Sequence, residues 1–438
     1  MLTLQSSPGI DAVKLGYLVA AFIAFAAAAW SIWRSATLDL SVARTWLLMS
    51  LAFWAVLAMS FAVSRAEGTP IGDWARDAVT YALFASVPIF ALDAAWSAPR
   101  RAIITLLVIV GVLGALSWAT HWIQLRHIAD LPLSRLLFPS PQVPVALYLF
   151  AMAAAIQKGR GGGRWALLAG LVLGCFLVTG TRSSLLFLAG PLAMMAVAGR
   201  ERLRSSVTWL AAHGSVAVAI VLAFQAALWL PSVAVPPLST STPSPVPGGG
   251  TTAPPNIIGE RIGTIGSLAS NPLGDPSLRE RIAQYQAAFD LVRRSPLVGM
   301  GPGHQIEWTD VSNIRRSAFT ADTPLVYLVK FGLVGLIPLG LFLWAYVDLL
   351  RRLLGGVGRT ASALVLVGYG GLALIGLPLG FPMEDKGTSF ALMLILALCF
   401  GDLRAASERH RVHRDSLKPG SAVAPRDPAA LVAPVSRG

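Results

Sequence analysis

Apolar residues occur in long runs along the chain, and most runs have the length that a membrane-crossing helix needs. Roughly 20 mostly apolar residues span the hydrocarbon of a bilayer as an α-helix. The sequence therefore predicts an all-α polytopic membrane protein with about eleven spans, within a range of ten to twelve. They lie near residues 15–33, 45–63, 78–96, 102–119, 141–157, 165–180, 183–199, 206–230, 322–348, 361–381 and 387–402.

The composition supports the same class and narrows the chemistry. Hydrophobic residues make up 55% of the chain, charged residues 13%, and the mean hydropathy is +0.64, unlike a soluble domain. Cys175 and Cys399 both fall within predicted spans, and no Cys/His cluster suggests a metal, so we expect no cofactor. The net charge of +13 comes mostly from arginines in short loops and gives no reason to expect nucleic acid as a partner.

Lysine and arginine are concentrated in one set of alternate loops, which the positive-inside rule assigns to the cytoplasm. The sequence is therefore predicted to consist of four parts. They are membrane helices in 1–230 (about eight spans), a periplasmic loop in 231–321, membrane helices in 322–402 (about three spans) and a cytoplasmic tail in 403–438. The tail has the composition of a disordered segment. A turn between two spans, which carries Arg182, is predicted to face the periplasm as well.

The predicted periplasmic loop has two parts. Residues 231–256 are rich in Pro, Ser, Thr and Gly, carry no charge and predict a flexible linker. Further on, apolar residues recur at helical spacing and predict an amphipathic helix that ends before Ser295-Pro296 and lies against the membrane domain. The apolar positions are Ile282, Tyr285, Ala288, Phe289 and Val292. A turn with Gly299, Gly301 and Gly303 follows, where the backbone is expected to approach a phosphate or sugar closely.

Three segments together resemble the O-antigen ligase and polymerase superfamily. The first is "RIAQYQAAFDLVRRSPLVGMGPG" (281–303), followed by "DTPLVYLVKFGLVGL" (322–336). The second is "LVTGTRSSLLFLAG" (177–190), and the third, a weaker match, is "PLGFPMEDKGTSFALMLILAL" (378–398). They occur in the family's order and on the predicted outer side of the membrane.

The resemblance implies glycosyl transfer on the outer leaflet of a bacterial inner membrane. The implied donor is a glycan linked to undecaprenyl pyrophosphate, and the acceptor is another glycan or lipid A-core; membrane lipids are further partners. A pyrophosphate leaving group gains charge as the glycosidic bond breaks, and arginine suits phosphate oxygens because its planar donors keep their charge. Arg182 and Arg281 are the predicted pyrophosphate ligands, with Arg279 and Arg261 in reserve. The alternatives are a lipid headgroup anchor for Arg182 and a surface charge for Arg281.

An acceptor hydroxyl also needs a base, and here the sequence departs from the ligase pattern. Ala321 stands where the resembled ligases carry histidine. The candidate catalytic groups are Asp322, whose alternative is a helix N-cap, and His304, whose alternative is a solvated loop residue. Candidate sugar-binding residues are Trp308, Glu307 and Asp310; an interfacial tryptophan is the ordinary alternative for Trp308.

The missing histidine favours a polysaccharide polymerase over a lipid A-core ligase. Transport, including flipping of a lipid-linked oligosaccharide, is the alternative from another class, and a peptidoglycan polymerase is a further one. A transporter would be expected to carry ionisable residues near the middle of the bilayer. Asp93 and Lys330 were the candidates for such residues, but both lie near predicted helix ends.

Overall fold

In the computed structural model, 86% of the described residues are helical. It describes residues 40–125, 140–178, 187–198, 200–229, 276–309, 314–357, 360–380 and 382–416, with scattered positions between 19 and 30. Within the described part of residues 40–229, the chain forms seven α-helices: α1 (Leu40–Ala66), α2 (Ile71–Ser97), α3 (Arg100–Leu125), α4 (Gln142–Lys158), α5 (Gly163–Val178), α6 (Ala189–Ala198) and α7 (Arg200–Trp229). The later elements are α8 (Pro276–Arg294), β1 (Ile306–Thr309), β2 (Arg315–Ala318), α9 (Leu325–Phe331), α10 (Leu336–Arg352), α11 (Ala361–Gly376) and α12 (Lys386–Ser416).

Five helical segments among the described residues are long and apolar enough to cross a membrane. They are Val42–Ala66, Ile71–Ser97, Arg100–Ala119, Leu333–Gly355 and Lys386–Arg409. Shorter apolar helices coincide with five other predicted spans. The predicted span 15–33 lies almost wholly outside the described residues, so the count of eleven stays a prediction, while the helical membrane class is confirmed.

Helix α4 forms the centre of the bundle. Nearly all of its side chains from Val143 to Ile156 are buried, and it packs against α3, α5, α11 and α12. Two prolines stand at its start: Pro141 is the N-cap residue and Pro144 lies in the first turn. Proline is tolerated there because the first-turn N–H groups have no partner within the helix. An all-round apolar helix is the kind that a large core buries.

Other helices leave rows of large apolar side chains on the outside. On α3 these are Leu106, Ile109, Leu113 and Leu116, and on α10 they are Leu343, Trp344 and Val347. In the most apolar stretch of each segment, 28% of the residues are buried for α3 and 22% for the segment that contains α10. The corresponding share for α2 is 72%. Exposed apolar surface on this scale would aggregate in water, but it is compatible with lipid around the bundle.

The predicted span 322–348 is wrong as a single helix. The chain forms the short α9, a 3₁₀ turn at Leu333–Gly335, and then α10. Gly332 separates them with φ of 59°, a left-handed conformation that glycine adopts without strain. The N–H groups of Leu333 and Val334 donate to the carbonyls of Pro296 and Leu297, so the break accommodates the glycine-rich turn.

A two-stranded antiparallel hairpin interrupts the helical architecture in the loop region. Strand β1 pairs with β2 in a register that places Glu307 opposite Ser317 and Trp308 opposite Arg316. Nothing in the helix-based interpretation of the sequence predicts this hairpin. It lies beside α8 and forms one wall of the site described below.

Candidate active site

Helix α8 is docked on the helical bundle over the segment that joins α11 to α12. It ends at Arg294, as the sequence predicts from Ser295-Pro296. The Tyr285 hydroxyl donates to the Pro378 carbonyl over 2.8 Å. The buried residues on the inner face of α8 are Gln284, Ala288 and Leu291. The predicted apolar stripe is therefore only partly right, because Ile282 and Phe289 are exposed while a polar glutamine occupies the contact.

Arg281 and Asp322 face each other at the start of this docked helix. An Arg281 guanidinium nitrogen lies 3.6 Å from an Asp322 carboxylate oxygen, and the two side chains are 29% and 61% exposed. The backbone N–H of Asp322 donates to Oε1 of Gln284 over 2.6 Å, which fixes the chain before α9 against α8. A cation and an open carboxylate are thus presented together at one accessible position.

The alternative role of Asp322 as a helix cap has no support in the geometry. The N-cap position of α9 is Pro324, and no side chain caps it there. The Leu325 N–H instead approaches the hydroxyl oxygen of Thr323 at 3.2 Å. The Asp322 carboxylate is therefore available for other contacts.

Among the other predicted phosphate ligands, the structure describes only Arg279, and its place on α8 turns it away from this pair. Arg279 lies two residues before Arg281, about 200° around the helix, and its side chain is exposed. Arg182 and Arg261 lie outside the described residues, as does Asp310. Their predicted roles remain predictions.

The glycine-rich turn packs between helices, which corrects the expectation that its backbone lies open to a ligand. The N–H groups of Met300 and Gly301 donate to the carbonyls of Val329 and Lys330 on α9. The Ser64 hydroxyl on α1 donates to the Pro302 carbonyl. At Gly303 φ is 85° and an added Cβ would lie 2.5 Å from the Trp74 nitrogen, so only glycine fits.

A buried ion cluster lies beneath this turn. Lys330 is 1% exposed; its ammonium donates to Asp77 over 2.7 Å and to Glu384 over 2.8 and 3.0 Å. The second Asp77 oxygen accepts the N–H of Gly303 over 2.8 Å, and the Tyr81 hydroxyl donates to Glu384. The cluster ties α2, the glycine turn, α9 and the segment before α12 together.

The sequence analysis does not predict this cluster, although the sequence contains one indication of it. Ionisable residues in or near membrane spans are costly to bury and are normally paired, so Lys330 in its apolar segment is the indication that such a cluster exists. Burial raises the pKa of Glu384 well above its ordinary value, and the charge of Asp77 adds to this.

Two of the three predicted sugar-binding residues, Glu307 and Trp308, lie together in a groove between the C-terminal half of α8 and the hairpin. The groove has a volume of about 790 Å³. Its charged and aromatic lining consists of Asp290, Arg294, His304, Glu307, Trp308 and Arg315. Burial lowers the pKa of His304, so its imidazole is neutral at pH 7.

His304 and Asp322, the two candidate bases, have different neighbours. Asp322 contacts Gln284, whereas His304 shares the groove with Arg294. These two α8 positions lie about 15 Å apart along the helix axis. Of the two candidate bases, Asp322 is the one beside Arg281.

The fold and the geometry define a helical membrane protein whose loop helix presents an arginine–carboxylate pair and a polar groove. The model of the O-antigen ligase family matches residues 166–340, from α5 into α10. This range contains Arg182, Arg281, Asp322 and the groove, and the match confirms the resemblance to the O-antigen ligase and polymerase superfamily. A comparison with curated proteins gives no match.

Proposed function

We propose that the protein is a membrane glycosyltransferase that polymerises a surface polysaccharide from glycans linked to undecaprenyl pyrophosphate. The observation that carries the proposal is the Arg281–Asp322 pair, which lies within the family match on a docked helix. The site would face the periplasm, at the outer surface of a bacterial inner membrane, with the C-terminal tail in the cytoplasm. The ranges 1–230, 231–321, 322–402 and 403–438 would be its membrane, loop, membrane and tail parts.

Arg281 would hold the departing pyrophosphate. As the bond from the anomeric carbon to the phosphate oxygen breaks, the electron pair stays with that oxygen, and undecaprenyl pyrophosphate leaves with the added charge. A fixed guanidinium aimed at this charge stabilises the transition state more than the ground state. The observed pairing with Asp322 keeps the guanidinium positioned before the donor arrives. Arg182 would supply a second cation, with Arg279 and Arg261 in reserve.

Asp322 would accept the proton of the acceptor hydroxyl as its oxygen attacks the anomeric carbon. A carboxylate that is 61% exposed and not used as a helix cap is open to such a hydroxyl. Attack opposite the leaving group inverts the configuration at that carbon. Among the other candidates, His304 and the residues Trp308, Glu307 and Asp310 would contact sugar rather than remove this proton.

Polymerisation is favoured over attachment to lipid A-core because Ala321, which is buried, occupies the position of the ligase histidine. The ligase remains the second candidate, since both reactions use the same kind of donor. The buried Lys330 with its two carboxylates does not favour a flippase, because each charged group is already paired within the protein.

The direct test compares surface glycans and lipid-linked glycans on gels from cells that lack the gene and from complemented cells. The proposal predicts that the ladder collapses to single repeat units in the deletion strain. Long chains that stay on the undecaprenyl carrier, with bare lipid A-core, would show a ligase instead. Loss of all donor from the outer leaflet would show a flippase and contradict the proposal.

A further inference from the structure

The groove between α8 and the hairpin differs in electrostatics from the site at Arg281. Asp290 and Glu307 supply two carboxylates, Arg294 and Arg315 supply two guanidinium groups, and His304 is neutral. Arg315 is paired with Glu307 across the hairpin. The charges therefore balance, and the groove has no excess cation for a phosphate. An uncharged ligand with many hydroxyl groups fits this mixture of donors and acceptors better than an anion does.

Trp308 gives the groove an aromatic surface. Its ring lines the cleft and packs partly against the protein core. The indole Nε1 is buried and has no hydrogen-bond partner among the described residues. A flat apolar ring next to carboxylate, guanidinium and amide groups suits a sugar, which has both apolar faces and hydroxyl edges.

The groove and the Arg281–Asp322 pair lie along one helix. The pair is tied to α8 at Gln284. The groove begins at Ala287, about one turn further on, and reaches Arg294, about 15 Å from Gln284. A chain of sugars whose reacting end lies at Asp322 would therefore extend along α8 into the groove. Its volume of about 790 Å³ is in the upper part of the range of ligand sites.

We propose that the α8–hairpin groove binds a run of sugars in the glycan, beyond the unit whose bond is being made. This inference rests on the proposed function for the direction of the chain, but binding in the groove does not require transfer. The sugars contact the Trp308 ring and the polar side chains that line the groove. The donor glycan and the acceptor glycan both consist of sugars that such a groove can bind. The KM values for the two substrates distinguish which of them occupies it.

The first experiment measures binding to the purified full chain in lipid nanodiscs. The probe is the oligosaccharide released by mild acid from the lipid-linked glycan of the producing cells, observed by saturation-transfer NMR. Trp308→Ala and Asp290→Asn should each weaken binding, with a loss of about tenfold or more for Trp308→Ala. Phe289→Ala is the matched control, because this aromatic residue is 46% exposed on α8 and does not line the groove.

Arg281→Ala separates this inference from the proposed function. It should lower the rate of transfer by about 10²–10³-fold while leaving oligosaccharide binding unchanged. Absence of transfer activity in the wild type, with binding still dependent on Trp308, would overturn the proposed function and leave the groove as a glycan site. Unchanged binding in both Trp308→Ala and Asp290→Asn would overturn the groove. Displacement of the oligosaccharide by inorganic pyrophosphate would also overturn it, since the groove would then be a phosphate site.

The second experiment identifies which glycan occupies the groove. In the transfer reaction, Trp308→Ala should raise KM for one glycan substrate more than it lowers kcat. A rise confined to the acceptor, with shorter products, would place the growing chain in the groove. A rise confined to the donor would place the donor glycan there. Unchanged KM values and product lengths would contradict the proposal.

Discussion

At the scale of single residues, the account depends on which side chains are open and which are paired. Asp322 is the open carboxylate beside Arg281, and it makes no helix cap. Asp322→Asn keeps the shape of the side chain and removes its basicity. We expect the rate of glycan transfer to fall by about 10²–10⁴-fold, the usual contribution of a positioned base.

The same variant should melt at nearly the wild-type temperature, because a half-open ion pair contributes little to stability. Initial rates and thermal unfolding of the purified protein check both expectations. His304→Gln serves as the comparison, since His304 lies in the groove rather than at the pair. A wild-type rate for Asp322→Asn would rule out its role as the base.

Lys330 gives a prediction about stability. Lys330→Met would leave Asp77 and Glu384 buried without their cation, and breaking a buried pair in this way costs about 3–5 kcal/mol. The melting temperature in detergent should fall clearly. Arg315→Met is the control: its side chain is 78% exposed, so the loss of its pair with Glu307 should cost about 1 kcal/mol or less. Equal melting temperatures for the two variants would show that the cluster does not stabilise the fold.

At the scale of elements, the glycine-rich turn holds α9 against α1 and α2. Gly303→Ala would place a Cβ against the Trp74 backbone at a φ that alanine disfavours, at a cost of about 1–2 kcal/mol before the clash is counted. Amide exchange in the turn and in α9 should increase. Gly340→Ala in α10, where an added Cβ meets nothing within 4 Å, should leave exchange in the turn unchanged. Protection equal to wild type in Gly303→Ala would contradict the packing role.

The sequence predicts the secondary-structure elements that depend on the local spacing of residues. The end of α8 follows from Ser295-Pro296, and the helical spacing from Ile282 to Val292 indicates the helix itself. The buried residues on the inner face of α8 were not predictable, because Gln284 is buried by its bond to the chain before α9. The hairpin and the break at Gly332 also depend on partners elsewhere in the fold.

At the scale of the whole molecule, long-range pairing limited what the sequence could predict. Lys330 is separated from Asp77 by 253 positions and from Glu384 by 54. No local spacing in the sequence therefore indicates that these residues are in contact. The family was recognisable because three short motifs occur in order. The structure adds that two of these motifs meet, since Tyr285 on α8 bonds to Pro378.

The proposed topology makes a prediction for the intact cell. In a background where Cys175 and Cys399 are replaced by alanine, Gln286→Cys on α8 should react with a membrane-impermeant maleimide from the periplasmic side. Ser407→Cys near the end of α12 should react only after lysis. Both positions are exposed. Labelling of both or of neither before lysis, or the opposite pattern, would contradict the orientation.

The central claim is that Arg281 at the start of α8 holds the departing pyrophosphate. The most direct measurement is the rate of glycan transfer by purified Arg281→Ala, with Arg293→Ala as the matched control. Arg293 lies on the same helix, and its guanidinium stacks over Phe289 instead of pairing with Asp322. We predict a fall in kcat of about 10²–10³-fold for Arg281→Ala and a near wild-type rate for Arg293→Ala. Equal rates for the two correctly inserted variants would contradict the claim.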